Sequence, residues 1–565
     1  MCFVEKKTSE FALFFSRSGD AIDDALILSL ANDRSNEKTN AYIMPSSSSG
    51  TKQTLKKVFV WGCGEDYQLG VKQAKRELDF CIHQPTEIVF PFSRCSSPPH
   101  SDLSDHEKDD EEKGDFEEIE RLIAGSRNSC VLTKSKELFS WGWNSHDTLG
   151  LGGERANDND EKSDVKKNNK EFVKTPTKAT YFAHDTTEEL EQLHIKDEFV
   201  ASEIVRVALG GWHALAIDQF GRVHAWGGNE YGQCATEKKK IEENFEVENA
   251  ATTARDTTTA AIARDEERKR GVVIDDRGFA NTSISTPITI PLDWKSPKTL
   301  IKAKRVACGG MSSFAVTADG DVYSWGCPVG GVGPNTYHPK KVENLRDCCE
   351  IAAGSFHVLA LAKDGTVYSW GHGEYGQLGH QKTGNEATPR AIETLNRKGV
   401  VKIRAGGWHS ACITAGGQLL TWGRGEYARL GMGDDDCADK ITPTEVKFPS
   451  PTDADDDDDE SKHHQRYKIV DASLGGSHTI ALTSQGQLLS WGRNSLGRLG
   501  HVVNGPHSGI PGEVKFPPLP NERKWICVKL SCGGRHNMAL CVETKTKEER
   551  ARALRAYFNN DNNIR

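Results

Sequence analysis

Between residues 354 and 379 the hydrophobic and polar positions follow a short plan. A glycine opens a turn that ends in histidine, Gly354 to His357, and the run Val358-Leu359-Ala360-Leu361 then reads as a strand with one buried face. Asp364-Gly365 supplies the positive φ that a two-residue hairpin requires, and Val367-Tyr368-Ser369-Trp370 returns as a second strand. Gly371 ends that strand and begins a loop closing on Gln377-Leu378-Gly379. The same order of elements recurs at Arg222 to Gly227, Asp321 to Gly326, Gln418 to Gly423 and Gln487 to Gly492.

The unit is a repeat with a fixed phase. Trp-Gly occurs at Trp61, Trp141, Trp226, Trp325, Trp370, Trp422 and Trp491. Sixteen residues before each of the last six stands a turn glycine: Gly125, Gly210, Gly309, Gly354, Gly406 or Gly475. Each unit is a small antiparallel sheet that cannot bury its own faces, so neighbours must stack. Trp61 has no turn upstream, and the last turn, Gly533 to His536, has no Trp-Gly downstream. Val58 to Gly62 therefore completes the sheet begun by Val528 to Val542. The pattern predicts an all-β, seven-bladed propeller closed by pairing of its N- and C-terminal strands, a closure that hides edge strands.

Trp-to-Trp spacings of 80, 85, 99, 45, 52 and 69 show compact blades with sequence inserted elsewhere. The expected layout is a flexible leader over 1–57, a propeller over 58–545 and a charged tail over 546–565, with a short helix as its ordered form. Insertions are assigned to about 71–121, 153–203, 236–303 and 434–466, all leaving the repeat after the Leu-Gly loop and emerging near one another. Residues 105–120 hold ten acidic residues, and 453–460 are acidic at every position except Ala454. Such runs read as solvated, disordered loops. Residues 236–270 are charged and rich in Ala and Thr.

Composition narrows the function classes. The 565 residues carry 72 Lys+Arg against 81 Asp+Glu, a net charge of −9, which argues against a phosphate-backbone binder. No apolar run reaches the roughly 18 residues that span a bilayer. The N-terminus lacks a signal-peptide layout. Fifteen cysteines include no C-x-x-C pair and sit mostly in apolar runs, so they are expected to be reduced thiols of a cytoplasmic or nuclear protein.

W-G-x-G-E-Y-G-Q-L-G at 370–379, W-G-R-G-E-Y-A-R-L-G at 422–431, W-G-R-N-S-L-G-R-L-G at 491–500, A-G-G-W-H-S at 405–410 and L-G-G-S-H-T at 474–479 resemble the regulator of chromosome condensation repeats. That resemblance implies a seven-bladed propeller over residues 58 to about 545. It also implies protein partners: one branch of the family exchanges nucleotide on the Ran small GTPase, and another is the plant UV-B photoreceptor. The Ran exchange factor has aspartates in some G-x-x-H turns, whereas no turn here has a carboxylate between the glycine and the His position. The photoreceptor's sensing tryptophans lie in G-W-R-H turns. Here Trp212 and Trp408 are displaced by one place and lack the adjacent arginine, which argues against photoreception.

The candidate chemistry is that of binding. His213, His357, His409, His478 and His536 recur once per blade, with Asn128 and Ser312 in the other two units, and are expected to hold the turns through backbone hydrogen bonds. The seven Trp-Gly tryptophans are expected to form the blade core. No nucleophile triad, phosphate loop or metal motif is present, so no catalytic residue, metal or cofactor is assigned. One position in each turn is free to vary, carrying Arg127, Trp212, Met311, Phe356, Trp408, Ser477 or Arg535. Ring symmetry gathers these on one face, and Trp, Phe, Met and Arg are enriched where proteins grip one another. Arg127, Trp212, Met311, Phe356, Trp408 and Arg535 are therefore the partner-binding candidates. The expected function is non-catalytic protein interaction, with guanine-nucleotide exchange on a Ran-like or other small GTPase as the specific form and a scaffold without exchange activity as the alternative.

Overall fold

The computed structural model describes residues 55–71, 80–90, 119–151, 171–179, 203–236, 273–274, 280–281, 283–296, 299–331, 333–449 and 467–562. The leader before residue 55, the acidic runs 105–118 and 453–460, and residues 237–270 lie outside them.

The apolar run after each G-x-x-H turn forms a strand, such as His357–Ala362 or His409–Thr414, buried at every position. Sequence alternation had suggested one buried face, but a neighbouring sheet covers each side. The hairpin and the Trp-Gly strand follow as read, and two further strands complete each sheet. Cys348–Ala353, His357–Ala362, Val367–Gly371 and Glu386–Ala391 pair antiparallel in that order, and every blade repeats the arrangement.

Blades 1 to 6 span 119–178, 204–290, 303–341, 348–391, 400–445 and 469–513, and blade 7 joins 524–544 to 56–87. The first strand of each blade packs on the first strand of the next around the ring, so these strands are innermost. In blade 7, Lys56–Cys63 pairs with His536–Thr544 in register Phe59↔Ala539 and Trp61↔Asn537, and with Cys81–Glu87 on its other side. This closes the ring as expected.

The core lies between blades. Seven apolar clusters each draw side chains from one neighbouring pair, as in Leu359, Leu361, Ile403, Cys412 and Trp422 of blades 4 and 5. All seven Trp-Gly tryptophans lie in these clusters, at most 4% exposed.

The outermost strands all contain a proline: Pro85, Pro176, Pro287, Pro339, Pro389, Pro443 and Pro511. Proline offers no N–H to a ladder and is tolerated where that side of the strand faces outward, which protects an otherwise exposed edge. Four of these strands fall within the ranges assigned to insertions, so less sequence is inserted than the spacings suggested. They also reverse the chain, so the inserted stretches do not all emerge together. The acidic stretches leave after Phe90 and Pro449 and return at Ile119 and Tyr467, at the end of the ring remote from the G-x-x-H turns.

Innermost strands share a register shift just before a charged residue: Arg121, Arg206, Arg305, Glu350, Lys402, Asp471 or Lys529. Arg404 ties three blades here, 2.7 Å from Glu350 Oε1 and 2.6 Å from Asp471 Oδ1. Burial pushes the Asp471 carboxyl up, but Arg404 and Lys402 overcome this and hold it at about 2. The tail forms helix Lys547–Asn562, capped by Thr546, whose Oγ1 accepts from Glu549 N at 3.1 Å.

Candidate functional site

The G-x-x-H turns and the loops after Trp-Gly gather at one end of the ring, because each turn histidine pairs across the sheet with the glycine of Trp-Gly, as in His357↔Gly371. The turns are laced together by backbone bonds: Gly310 N to Ser355 O (3.1 Å), Gly407 N to Gly475 O (3.1 Å) and Gly534 N to Gly125 O (3.1 Å). Glycine is required for this approach. A Cβ on Gly354 would lie 2.5 Å from the Gly406 carbonyl oxygen and 2.5 Å from the His357 ring.

The five histidines form joints between blades, reaching a side chain of the next blade instead of the backbone expected from sequence. Nε2 lies 2.8 Å from Ser313 Oγ for His213, 2.9 Å from Ser410 Oγ for His357 and 2.9 Å from Thr479 Oγ1 for His409. For His478 it lies 2.6 Å from Asn537 Oδ1, and for His536 2.7 Å from Ser129 Oγ. Each partner then donates back to a loop carbonyl of the histidine's own blade, as Ser410 Oγ does to Gln377 O at 2.8 Å. The same carbonyl accepts Trp422 Nε1 at 2.9 Å, and four other joints repeat this double acceptance at Gln68, Gln233, Arg429 and Arg498.

This order assigns the protons. The hydroxyl or amide donates to the carbonyl, so the imidazole donates through Nε2 and keeps a lone pair on Nδ1. All five Nδ1 atoms are buried without a hydrogen-bond partner. Burial lowers His213, His357, His478 and His536 to about 3 and takes His409 well below its ordinary value. Imidazoles held neutral by burial and tied through Nε2 to the next blade serve as joints. Two interfaces lack the joint on both sides: Asn128 faces a blade with Ala214 where the acceptor would be, and Ser312 faces one with Val358.

Above the joints lie the variable turn residues. Trp212 (39% exposed) meets the Trp143 ring edge-on at 6.2 Å and His146 at 4.9 Å. Arg127 lies 4.9 Å from the Trp143 ring centre and pairs with Asp66 at 2.7 Å. Phe356 (37% exposed) packs on Trp408 at 5.1 Å, and Trp408 meets His372 and Tyr375, each at 5.5 Å. Arg424 stacks 4.6 Å from Tyr375, and Arg493 4.5 Å from Tyr427. Arg535 is exposed, 3.7 Å from Glu65, and Met311 is half-buried.

The structure thus brings Arg127 together with Trp212 through Trp143, and Phe356 with Trp408, while Met311 and Arg535 stand apart from both groups. Sequence reasoning missed Trp143, His372, Arg424 and Arg493, two residues past the Trp of their Trp-Gly, and His146, Tyr375 and Tyr427, five past it. Their signal was variability at those two loop positions. The result is a ring of half-exposed aromatic rings and guanidinium groups on a rigid base, suited to gripping a protein surface.

Residues 57–456 match the family described as RCC1-like domain, and residues 469–498 and 485–540 match the regulator of chromosome condensation (RCC1) repeat. The chain is 25% identical over 449 residues to the ultraviolet-B receptor UVR8 of Arabidopsis thaliana, covering 78% of this chain and 73% of that protein. Among solved structures it resembles human WBSCR16, with a TM-score of 0.58 and 19% identity over 86% of this chain and 99% of that one. It also resembles Prp20p of Saccharomyces cerevisiae, with a TM-score of 0.58 and 18% identity over 89% and 94% of the two chains. Prp20p is described together with its binding properties to Gsp1p and histones.

Proposed function

Because the chain belongs to the regulator of chromosome condensation repeat family, we propose that it is a non-catalytic interaction propeller whose turn-bearing end docks a small GTPase and regulates its nucleotide state. The observation that carries this reading is the exposed aromatic and arginine ring at the turn-bearing end, set above interblade joints such as His357–Ser410. Exchange needs no covalent chemistry. A surface that binds the nucleotide-free GTPase more tightly than the loaded one shifts the population toward release. The description of Prp20p as a binder of Gsp1p and histones supports protein partners for this fold.

The test is release of labelled nucleotide from a panel of Ran-like and Rab-like GTPases. Acceleration at micromolar propeller is expected for at least one member. None across the panel would reject exchange and leave the scaffold reading, in which partners bind without a change of nucleotide state.

The docking surface has its own test. Trp212→Ala with Trp408→Ala removes two anchors of the kind that contribute about 2 kcal/mol or more each, so partner affinity should fall about 1,000-fold. The melting midpoint should hold, because both rings are partly exposed. If binding survives or the fold is lost, these rings are packing groups and docking lies elsewhere. A cytoplasmic or nuclear location is proposed, supported by the thirteen described cysteines being free thiols.

A further inference from the structure

Equivalent loops of blades 5 and 6 differ in one consequential residue. In blade 5, Arg429 is buried beneath the docking surface with Glu426 beside it, Nη2 to Oε2 at 3.2 Å. Glu65, Glu230 and Glu374 occupy the position of Glu426 in three other blades. In blade 6, Arg498 stands where Arg429 stands, but Ser495 replaces the glutamate. Arg498 is 3% exposed. Its nitrogens donate to Ser495 O at 2.8 Å, Ser477 Oγ at 2.8 Å and Ser495 Oγ at 3.0 Å, and no carboxylate is within ion-pair distance among the described residues.

The surroundings add positive charge. Arg493, on the same loop, stacks on Tyr427 and forms no ion pair among the described residues. Arg535, from the adjoining turn of blade 7, has an exposed side chain whose nearest carboxylate, Glu65, is 3.7 Å away. Burial, with Arg493 and Arg535 nearby, pushes the Arg498 guanidinium down to about 10. A buried guanidinium without a counter-charge is costly, and carboxylates are its best geometric match.

We propose that this sector, built from Arg493, Arg498, Arg535 and Ser477, receives an acidic segment of a protein partner, whose carboxylates supply the charge that Ser495 does not. Three guanidinium groups spread over two blades suit several carboxylates along an extended peptide better than a single small anion. The inference rests on the reading of the turn-bearing end as the docking end, but not on nucleotide exchange.

The experiment measures fluorescence anisotropy of a labelled octaglutamate peptide with the full chain at low salt, with octalysine and a phosphoserine peptide as comparisons. Octaglutamate should bind; octalysine, which the acidic runs 105–120 and 453–460 attract at low salt, should show no response to Ser495→Glu. Ser495→Glu, which installs the carboxylate found in blade 5, should weaken binding at least tenfold while the melting midpoint holds or rises. Arg493→Glu with Arg535→Glu should abolish binding with the circular-dichroism spectrum unchanged. Trp212→Ala with Trp408→Ala should leave octaglutamate binding intact, which separates this site from the aromatic anchors. Absent octaglutamate binding, binding indifferent to Ser495→Glu, or binding of the phosphoserine peptide alone would overturn the proposal.

Discussion

Acidification from pH 7 to 5 is expected to unfold the propeller, through the five histidine joints. In an unfolded chain each imidazole titrates near 6.5. In the ring His213, His357, His478 and His536 stay neutral down to about 3, and His409 lies well below its ordinary value. The unfolded state therefore binds more protons below 6.5, and stability is complete above that pH and falls as pH drops toward 3. Each joint loses about 2 kcal/mol at pH 5, so five lose about 10 kcal/mol, comparable to the net stability of most domains. Asp471, held at about 2, gives up its contribution only below about pH 4, beneath this window. Thermal melting across pH 7.5 to 5 at fixed ionic strength should show a steep fall, with about four protons taken up on unfolding at pH 6. A flat midpoint across that range would show that the imidazoles are not held neutral.

Deleting residues 1–62 should have an effect of the same order by a different route. The deletion removes all but the last residue of Lys56–Cys63, the third strand of blade 7, including Val58, Phe59, Val60 and Trp61, each at most 2% exposed. At about 2 kcal/mol per buried apolar side chain, roughly 8 kcal/mol of burial is lost. His536–Thr544 would also face solvent along one edge, and Trp61 Nε1 would no longer reach the Arg498 carbonyl at 3.2 Å. Deleting 1–50 leaves every one of these contacts in place and should leave the melting midpoint unchanged. Melting and limited proteolysis of the two truncations compare them directly. Equal stability would mean that blade 7 does not lock the ring.

Blade number and closure were legible because Trp-Gly and the turn glycine keep a constant separation whatever is inserted elsewhere. The outermost strands were not legible. Their prolines recur in all seven blades, but insertions of unequal length place Pro339 14 residues after its tryptophan and Pro287 61 after its own. Strands such as Cys81–Glu87 are also mostly half-exposed, which leaves little alternation to read. The histidine joints had a readable signature that went unused: a histidine appears only where the next blade has Ser129, Ser313, Ser410, Thr479 or Asn537 after its own turn position. Seeing it requires comparing successive blades, not positions within one. The loop aromatics were hidden for a related reason, since Trp143, Tyr375 and Tyr427 look like ordinary loop residues until the fold places them beside Trp212, Trp408 and Arg493 respectively.

The two interfaces without a histidine, between blades 1 and 2 and between blades 3 and 4, each lack the side-chain joint that the other five possess and divide the ring into unequal arcs. The edge-on contact of Trp143 with Trp212 crosses the first of these seams. A molecule that grips both rings therefore also holds the seam shut, and thermodynamic reciprocity makes the coupling run both ways. Such binding would stiffen the ring by as much as a stiffer seam would tighten binding, so Asn128 and Ala214, beneath the contact, would share control of the affinity.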